Sequence, residues 1–476
     1  MKTMFSPICA LGLAVALLAC GPAADSPLLV LKGVTVIDMA SAAPWPGMTV
    51  IVRHGKIEAI SSGSSVPEGA RVVDARGKFL IPGLWDMHVH LWGSPERLFP
   101  LFLANGVTGV RDMASPPGQI FRLREEVKSG KILGPRIVAC GPQVDGPGTP
   151  PNTPEHAIPV ANAEEARQAV QSLKKMGADC VKPHDRVPRD AYFALVEEAK
   201  RAGLPVEGHV PNEVTLAEAS DGGQRSIEHL GGIFDACSSA AAEIERMKSA
   251  PPPKDPSEFP QRIAARGTLA LDTYSPELCG RLFERFVRNG TWQVPTLATT
   301  YGRTFIDDLS RRDDPRLRYI PKDQREEWKP ENDFFARFRT PDYVTWQKRY
   351  WAESLKLVGA MQRAGVPILA GTDLSLAYVY PGFSLHDELA FLVEAGLSPL
   401  EALKAATIGP ARFLGLEGTL GTIEAGKVAN LVLLDADPLA DIHNTRRISG
   451  VVVNGRWLGP EELKEMLDQA AAEAAR

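Results

Sequence analysis

Only nine histidines occur in this 476-residue chain. Two of them, His88 and His90, stand one residue apart at the end of the apolar run Pro82-Gly83-Leu84-Trp85-Asp86-Met87-His88-Val89-His90. In an extended strand alternate side chains share a face, so Asp86, His88 and His90 point the same way. Imidazole nitrogens and a carboxylate on one face are good donors to zinc or a similar divalent ion. Alone, a His-x-His is a weak signal, because buried histidines have many structural uses. The case strengthens at the ends of other apolar runs, where Lys182 follows Val181, His209 follows Gly208, His229 follows Glu228 and Asp373 follows Thr372.

These positions need elements to gather them. Short apolar runs at 83–88, 106–112, 136–140, 179–182, 206–209, 226–229, 293–296 and 368–372 read as strands. They alternate with helical stretches such as 164–176 and 191–203, whose apolar residues recur at helical spacing. Eight strands with helical crossovers predict an α/β chain built around a closed (β/α)8 barrel. Catalytic groups in that architecture come from the C-terminal ends of several strands. His88 and His90 on the first strand, Lys182 on the fourth, His209 on the fifth, His229 on the sixth and Asp373 on the eighth then meet above the barrel axis.

The barrel is expected over 83–417. Before it, 27–82 reads as short strands broken by turns, with a tight reversal at His54-Gly55-Lys56, and the same character returns over 418–459. Together these two stretches predict one small β-sandwich domain, and 460–476 reads as a terminal helix. An insertion at about 300–350, rich in charged and aromatic residues, follows the seventh strand; it serves equally as a lid, an outer helical elaboration or a homo-oligomer contact. Hydrophobic residues at 44% and charged residues at 23% are a globular composition, and a net charge of -5 gives no basis for a nucleic-acid partner.

Residues 1–20 form an export signal in which Lys2 precedes an apolar run too short to span a bilayer. The ending Leu17-Leu18-Ala19-Cys20-Gly21 is similar to a bacterial lipobox, which implies acylation of Cys20 and places the protein in the cell envelope or periplasm. Membrane contact is then expected only through that lipid. With Cys9 removed and Cys20 acylated, Cys140, Cys180, Cys237 and Cys279 remain. Their wide spacing indicates neither a zinc knuckle nor a disulfide scaffold, and burial as small hydrophobes is the expectation.

Lys182 is out of place as a cation beside a metal site, because an ammonium there is repelled and costly to desolvate. Burial disfavours its charged form, and the neutral amine can add carbon dioxide to give a carbamate. That anionic group can bridge two metals about 3.5 Å apart. The competing use is as a plain cation for a substrate carboxylate. His184 is the rival ligand on the fourth strand, although Pro183 argues that the strand ends before it. His184, Arg186 and Tyr301 lie near predicted strand ends and are candidates to read a substrate carboxylate, with surface solvation as the competing role.

The ordered set resembles the amidohydrolase superfamily, in particular its imidazolonepropionase-like and Xaa-Pro dipeptidase-like branch. The matching pieces are the Pro82-to-His90 run, Val181-Lys182-Pro183, Gly208-His209, Glu228-His229, Ala370-Gly371-Thr372-Asp373, Leu385-His386-Asp387-Glu388-Leu389 and Gly421-Thr422-Ile423-Glu424-Ala425-Gly426-Lys427. The resemblance covers nearly the whole chain beyond the export signal and is poorly specific for substrate. It implies one metal held by His88, His90, carbamylated Lys182 and Asp373, and a second held by Lys182, His209 and His229. Zinc is the first choice for both. It implies hydrolysis of a C–N bond in a dipeptide or N-acyl amino acid by water activated between the metals, with Asp373 moving the proton. Ring-opening of a cyclic amide or lactone needs the same parts. A lipoprotein that binds a small molecule without turnover is the expectation of another class, and the intact acid/base carboxylate argues against it.

Overall fold

The computed structural model describes residues 28–476 apart from 42, 64, 149–154, 252, 334–335 and 375. The expected export signal, Cys20 included, lies outside the described residues. The chain opens with five strands, β1 (Leu29–Val36), β2 (Trp45–Arg53), β3 (Lys56–Ser61), β4 (Arg71–Asp74) and β5 (Phe79–Pro82). After Gly83 it passes directly into the barrel.

The first three barrel strands, β6 (Leu84–Val89), β7 (Val107–Asp112) and β8 (Arg136–Ala139), pair in parallel. Every residue of β6 and β7 is buried, as a sheet covered on both faces requires. A small parallel pair, β9 (Gln143–Asp145) and β10 (Ala157–Pro159), follows; the sequence pattern did not announce it. Three more barrel strands are β11 (Glu207–Gly208), β12 (Ser226–Glu228) and β13 (Trp292–Val294). Among the described residues the fourth and eighth barrel positions carry only isolated bridges, Val181 to Val206 and Val144 to Pro183 for the fourth, Gln293 to Ile368 and Val89 to Leu374 for the eighth. Prolines explain the ragged ladder, because Pro183, Pro205 and Pro367 sit at these joints without an N–H to give. Backbone hydrogen bonds still close the circle. The Asp179 N–H donates to the Ala139 carbonyl at 2.9 Å, Glu207 to Val181 at 3.0 Å, Leu369 to Gln293 at 2.9 Å and Met87 to Ala370 at 2.9 Å.

The connecting helices begin and end as their residues dictate. Helix Ala163–Met176 is capped by the Asn162 side chain, which accepts from the Glu164 and Glu165 N–H groups. Helix Arg189–Ala202 stops at Gly203.

The cysteine expectation is corrected here. Cys140 is bonded to Cys180 and Cys237 to Cys279, with Cα–Cα distances of 4.5 and 4.8 Å. Separations of 40 and 42 residues conceal these pairs in sequence, because spatial neighbours in a strand-helix barrel are about one repeat apart along the chain. Cys140 closes the third strand, and Cys180 lies on the adjacent fourth run, two residues before Lys182.

The chain finishes with β14 (Leu431–Leu434), β15 (Ile448–Val453), β16 (Arg456–Leu458) and helix Pro460–Ala474. One mixed sheet joins both termini in the order β16-β15-β14-β5-β1-β2-β3, with β4 beside β1. It curls so that its ends approach: the Ala429 N–H donates to the Gly55 carbonyl at 2.9 Å, and the Gly455 N–H donates to Ala429 at 3.0 Å. Leu29, Leu31, Val50, Val52, Leu80, Leu431, Leu433 and Val452 fill one core inside it. The Gly83 N–H donates to the Asn430 carbonyl at 2.8 Å, which fastens this sheet to the foot of β6.

The insertion after β13 folds as helix Leu297–Thr304, three short turns of helix and the long helix Pro341–Arg363. Its Ile306, Ile320 and Trp328 pack on Ala377, Tyr378 and Tyr380, in the loop that follows Asp373. Tyr319 stacks on Phe383 and packs with Ala470 of the terminal helix. The insertion therefore braces the loop after the eighth strand from outside.

Candidate metal centre

The first, sixth and eighth strand ends bring three donors together. One ligand atom each from His88, His229 and Asp373 lies within 4.8 Å of the others. Asp373 Oδ1 is 3.5 Å from His88 Nε2 and 3.3 Å from His90 Nε2, and Asp373 Oδ2 is 3.7 Å from His229 Nδ1. Positive φ values at His229 (62°), Thr296 (49°) and Asp373 (57°) show where the backbone is strained to present these groups. Burial of such conformers at three strand ends is a feature of sites held by the surrounding fold.

Buried partners aim the imidazoles. Glu228 Oε2 accepts from His88 Nδ1 at 2.8 Å, which leaves Nε2 bare and directed at Asp373. Glu228 is held in turn by Arg111, whose Nη2 donates to both of its oxygens at 3.0 and 3.1 Å while Nη1 donates to Glu207 at 2.8 Å. The Arg111 Nε–H donates to the Met87 carbonyl at 2.7 Å, so the guanidinium ties β7 to β6, β11 and β12 beneath the site. On the other side, His229 Nδ1 meets Thr296 Oγ1 at 2.8 Å. Burial pushes His88 and His229 well below the usual histidine range, which keeps their lone pairs free. Burial alone would raise Asp373, but His229, a hydrogen bond from His90, and His88 together hold its carboxyl far below the ordinary value.

A second group sits beside the first on the fourth and fifth runs. His184, Asp185 and His209 offer donor atoms within 4.8 Å of one another. The His184 and His209 rings stack at 4.3 Å, and His209 meets His229 edge-on at 4.9 Å, which makes the two groups contiguous. His209 Nδ1 is 2.8 Å from Asp185 Oδ1, leaving Nε2 for another partner. Pairing continues past Lys182, since the His184 N–H donates to Val144 of β9 at 2.8 Å; this added strand brings His184 to the mouth despite Pro183. The Lys182 side chain is buried, and its carbonyl accepts from the Val144 N–H at 2.8 Å. Burial, only partly opposed by Asp373, Glu228 and Asp112, lowers its pKa below the ordinary lysine value. Gly208 at φ 148° lets it fit, because a Cβ there would stand 2.8 Å from Lys182 Cγ and 2.9 Å from the Pro183 carbonyl oxygen.

This donor set fits divalent metal. His88 Nε2 is buried without a hydrogen-bond partner, next to an ionised carboxylate and neutral imidazoles. Such an orphaned lone pair is costly unless a cation takes it. The sulfurs of Cys140 and Cys180 lie near Glu207, but their disulfide removes them as thiolate donors.

The remaining candidates go elsewhere. Tyr301 packs among Phe305, Trp351 and Phe391 with Arg311 over its ring, in the wall between outer helices. Exposed Arg186 donates to the Gly148 carbonyl at 2.6 Å. His386 is buried between Thr445 Oγ1 at 2.9 Å and the Asn105 carbonyl at 3.1 Å, so its role is structural. Asp86 shares the strand face of His88, yet its oxygens accept from the Thr372 N–H and hydroxyl at 2.9 and 2.7 Å, joining the first strand to the eighth. Sequence reasoning passed over Arg111, Asp185 and Thr296, and quoted Glu228 without a role. A usable signal existed for two of them, because Arg111 and Glu228 are charges placed inside otherwise apolar strands.

Comparison with known proteins agrees with this geometry. The amidohydrolase family profile matches residues 79–248 and 352–458, leaving out most of the insertion. An imidazolonepropionase of Symbiobacterium thermophilum is 25% identical over 424 residues, which cover 83% of this chain and 85% of that protein. The solved structure of a bottromycin amidohydrolase superposes with a TM-score of 0.74 at 26% identity, covering 94% of this chain and 90% of the other. A Xaa-Pro dipeptidase with bound methionine in its active site shares the fold, with a TM-score of 0.66 at 21% identity over 91% of this chain and all of its own.

Proposed function

Because this chain belongs to the amidohydrolase family and is a metal-dependent hydrolase acting on C–N bonds, we propose that it holds two divalent ions and hydrolyses the amide bond of a dipeptide or N-acyl amino acid. The observation that carries this reading is the contact of two donor groups, one around Asp373 and one around His209, joined through the His209–His229 ring pair. His88, His90, Lys182 and Asp373 would hold one ion, and Lys182, His209 and His229 the other, with zinc the preferred metal for both. When bound, such ions supply Lewis acidity, lowering the pKa of water and polarising a carbonyl.

The side chains supply the rest. Asp373, kept ionised by its histidine neighbours, accepts a proton from the attacking water at a carboxylate oxygen. It then returns that proton to the departing nitrogen, so the amine leaves neutral and the acyl product forms as a carboxylic acid, which gives its remaining proton to solvent. Glu228, fixed by Arg111, keeps His88 in the tautomer whose Nε2 is unprotonated. The neutral Lys182 Nζ adds to the carbon of carbon dioxide and loses one proton, giving an anionic carbamate in place of a misfit cation. Export and acylation at Cys20 complete the proposal. Two disulfides support an oxidising compartment, and no described helix is long and apolar enough to cross a membrane.

The test is activity profiling of protein produced with bicarbonate and reconstituted with metal, against dipeptides, N-acyl amino acids and cyclic amides. Two metal equivalents with turnover of the linear amides is the expected result. Turnover confined to cyclic amides or lactones would replace the substrate class, and a metal-free, inactive protein would overturn the reading.

A further inference from the structure

A large aromatic ring stands partly in solvent beside the candidate metal ligands. Trp92 is 43% exposed, one of few large apolar side chains so placed. It is nevertheless fixed. Its indole N–H donates to the Ala114 carbonyl at 2.5 Å, the carbonyl that His90 Nδ1 approaches at 3.3 Å. The Trp92 ring lies 4.7 Å from the His90 ring and meets the His156 ring edge-on at 5.3 Å. Holding an indole in water against a metal-site histidine leaves apolar surface unburied at the mouth, where burial would otherwise be favourable.

Gly93, next to Trp92 in the chain, and His156, in ring contact with it, border a cleft of about 860 Å³ whose wall also holds Pro116, Pro117, Pro142, Ile158 and Glu155. Three proline rings and an isoleucine give it flat apolar walls. Gln119, also on this wall, spends its amide donor on the Gly93 carbonyl at 2.7 Å. Among the described residues no lysine or arginine lines the cleft, and its one acidic member, Glu155, disfavours a substrate carboxylate. A flat apolar group would gain both contact area and ring stacking against Trp92, while a charged one would gain neither.

We propose that Trp92 and the cleft beyond it form a specificity subsite for an aryl or similarly planar apolar substituent of the substrate, one side chain removed from the reacting carbonyl. This rests on the amide-hydrolase reading above and narrows its substrate class.

The experiment measures kcat/KM for a series of N-acyl amino acids and dipeptides that differ only in bearing a methyl, isobutyl or benzyl side chain, with wild type, Trp92→Phe and Trp92→Ala. Metal content is determined for each protein, and calorimetric binding of L-phenylalanine and L-alanine is measured on the same samples. Wild type is expected to favour benzyl over methyl by roughly tenfold or more, with Trp92→Phe keeping most of the ratio and Trp92→Ala bringing it near unity through KM. A wild-type ratio near unity, or a ratio that survives Trp92→Ala, overturns the subsite while leaving amide hydrolysis standing. If no amide is turned over, Trp92-dependent binding of phenylalanine over alanine upholds the subsite while the reaction reading falls, and equal binding of the two overturns the subsite as well.

Discussion

Two groups of donors share the mouth of this barrel, and the fold holds them differently. Around the first, sixth and eighth strands each ligand is pinned: His88 by Glu228 and Arg111, His229 by Thr296, and Asp373 by strained backbone over buried Thr372. Around the fourth and fifth strands the grip is looser. His209 leans on an Asp185 side chain that is 50% exposed, and His184 Nδ1 stands 3.4 Å from Asp145 Oδ2. The difference teaches that the fold preorganises one donor group for a cation, while the other, on the proposed two-metal reading, is completed by what binds there. A preorganised donor set costs little reorganisation on binding; a loose one must be ordered by its occupant.

The largest effect belongs to the prepared half. Asp373→Asn removes the carboxylate proposed to move the proton and should lower kcat by roughly 10²–10⁴-fold, with thermal unfolding little changed, as steady-state kinetics and circular dichroism would record. Activity within tenfold of wild type would deny Asp373 the acid/base role. Next, Lys182→Ala should cost the looser half its ion and most activity, with partial recovery when short-chain carboxylic acids refill the vacated oxygen position. Unchanged metal stoichiometry in this variant would refute the carbamate.

A paired substitution asks whether the halves differ as claimed. Glu228→Gln leaves Arg111 buried with one carboxylate fewer, so metal affinity should fall about 10- to 100-fold and stability should drop by roughly 3 kcal/mol or more. Asp185→Asn touches a half-exposed partner, and its affinity loss should be smaller with an unfolding midpoint close to wild type. Chelator competition and thermal denaturation measure both. Equal losses in the two variants would erase the contrast.

What the sequence revealed follows the same division. The barrel was legible because parallel strands buried on both faces are continuous apolar runs, and the candidate ligands stood out because polar residues interrupt those runs at their C-terminal ends. Arg111, Asp185 and Thr296 were harder to see, since each acts through a residue far away in sequence: 117 positions separate Arg111 from Glu228, and 67 separate His229 from Thr296. The disulfides were hidden for that reason too. Tyr301 was misleading because closeness to a strand end does not fix where a side chain on the following helix points; its ring turned outward between helices.

The smallest expected effect on turnover lies beneath the prepared half, at Glu388 in helix Phe383–Glu394. One carboxyl oxygen accepts from the Ala298 N–H at 2.7 Å, just past Thr296, while the other is buried without a partner. Burial raises this group from its ordinary 4.5 to about 8, although the Ala298 and Leu297 N–H groups oppose the shift. The folded protein therefore binds a proton that the unfolded chain releases above about 4.5. The resulting stability is complete at low pH and is lost as pH rises toward and through 8. Glutamine keeps the acceptor and cannot ionise, so Glu388→Gln should flatten the fall of the unfolding midpoint between pH 5 and about 8.5, and its gain over wild type should grow with pH. Some slope should remain, because burial also raises Asp86 to about 7, and its release acts in the same direction. A difference between the two proteins that is constant across this range would mean that Glu388 is already charged in the fold, held by an added positive partner such as a bound cation. The prepared half would then also depend on its occupant, and the contrast with the looser half would narrow.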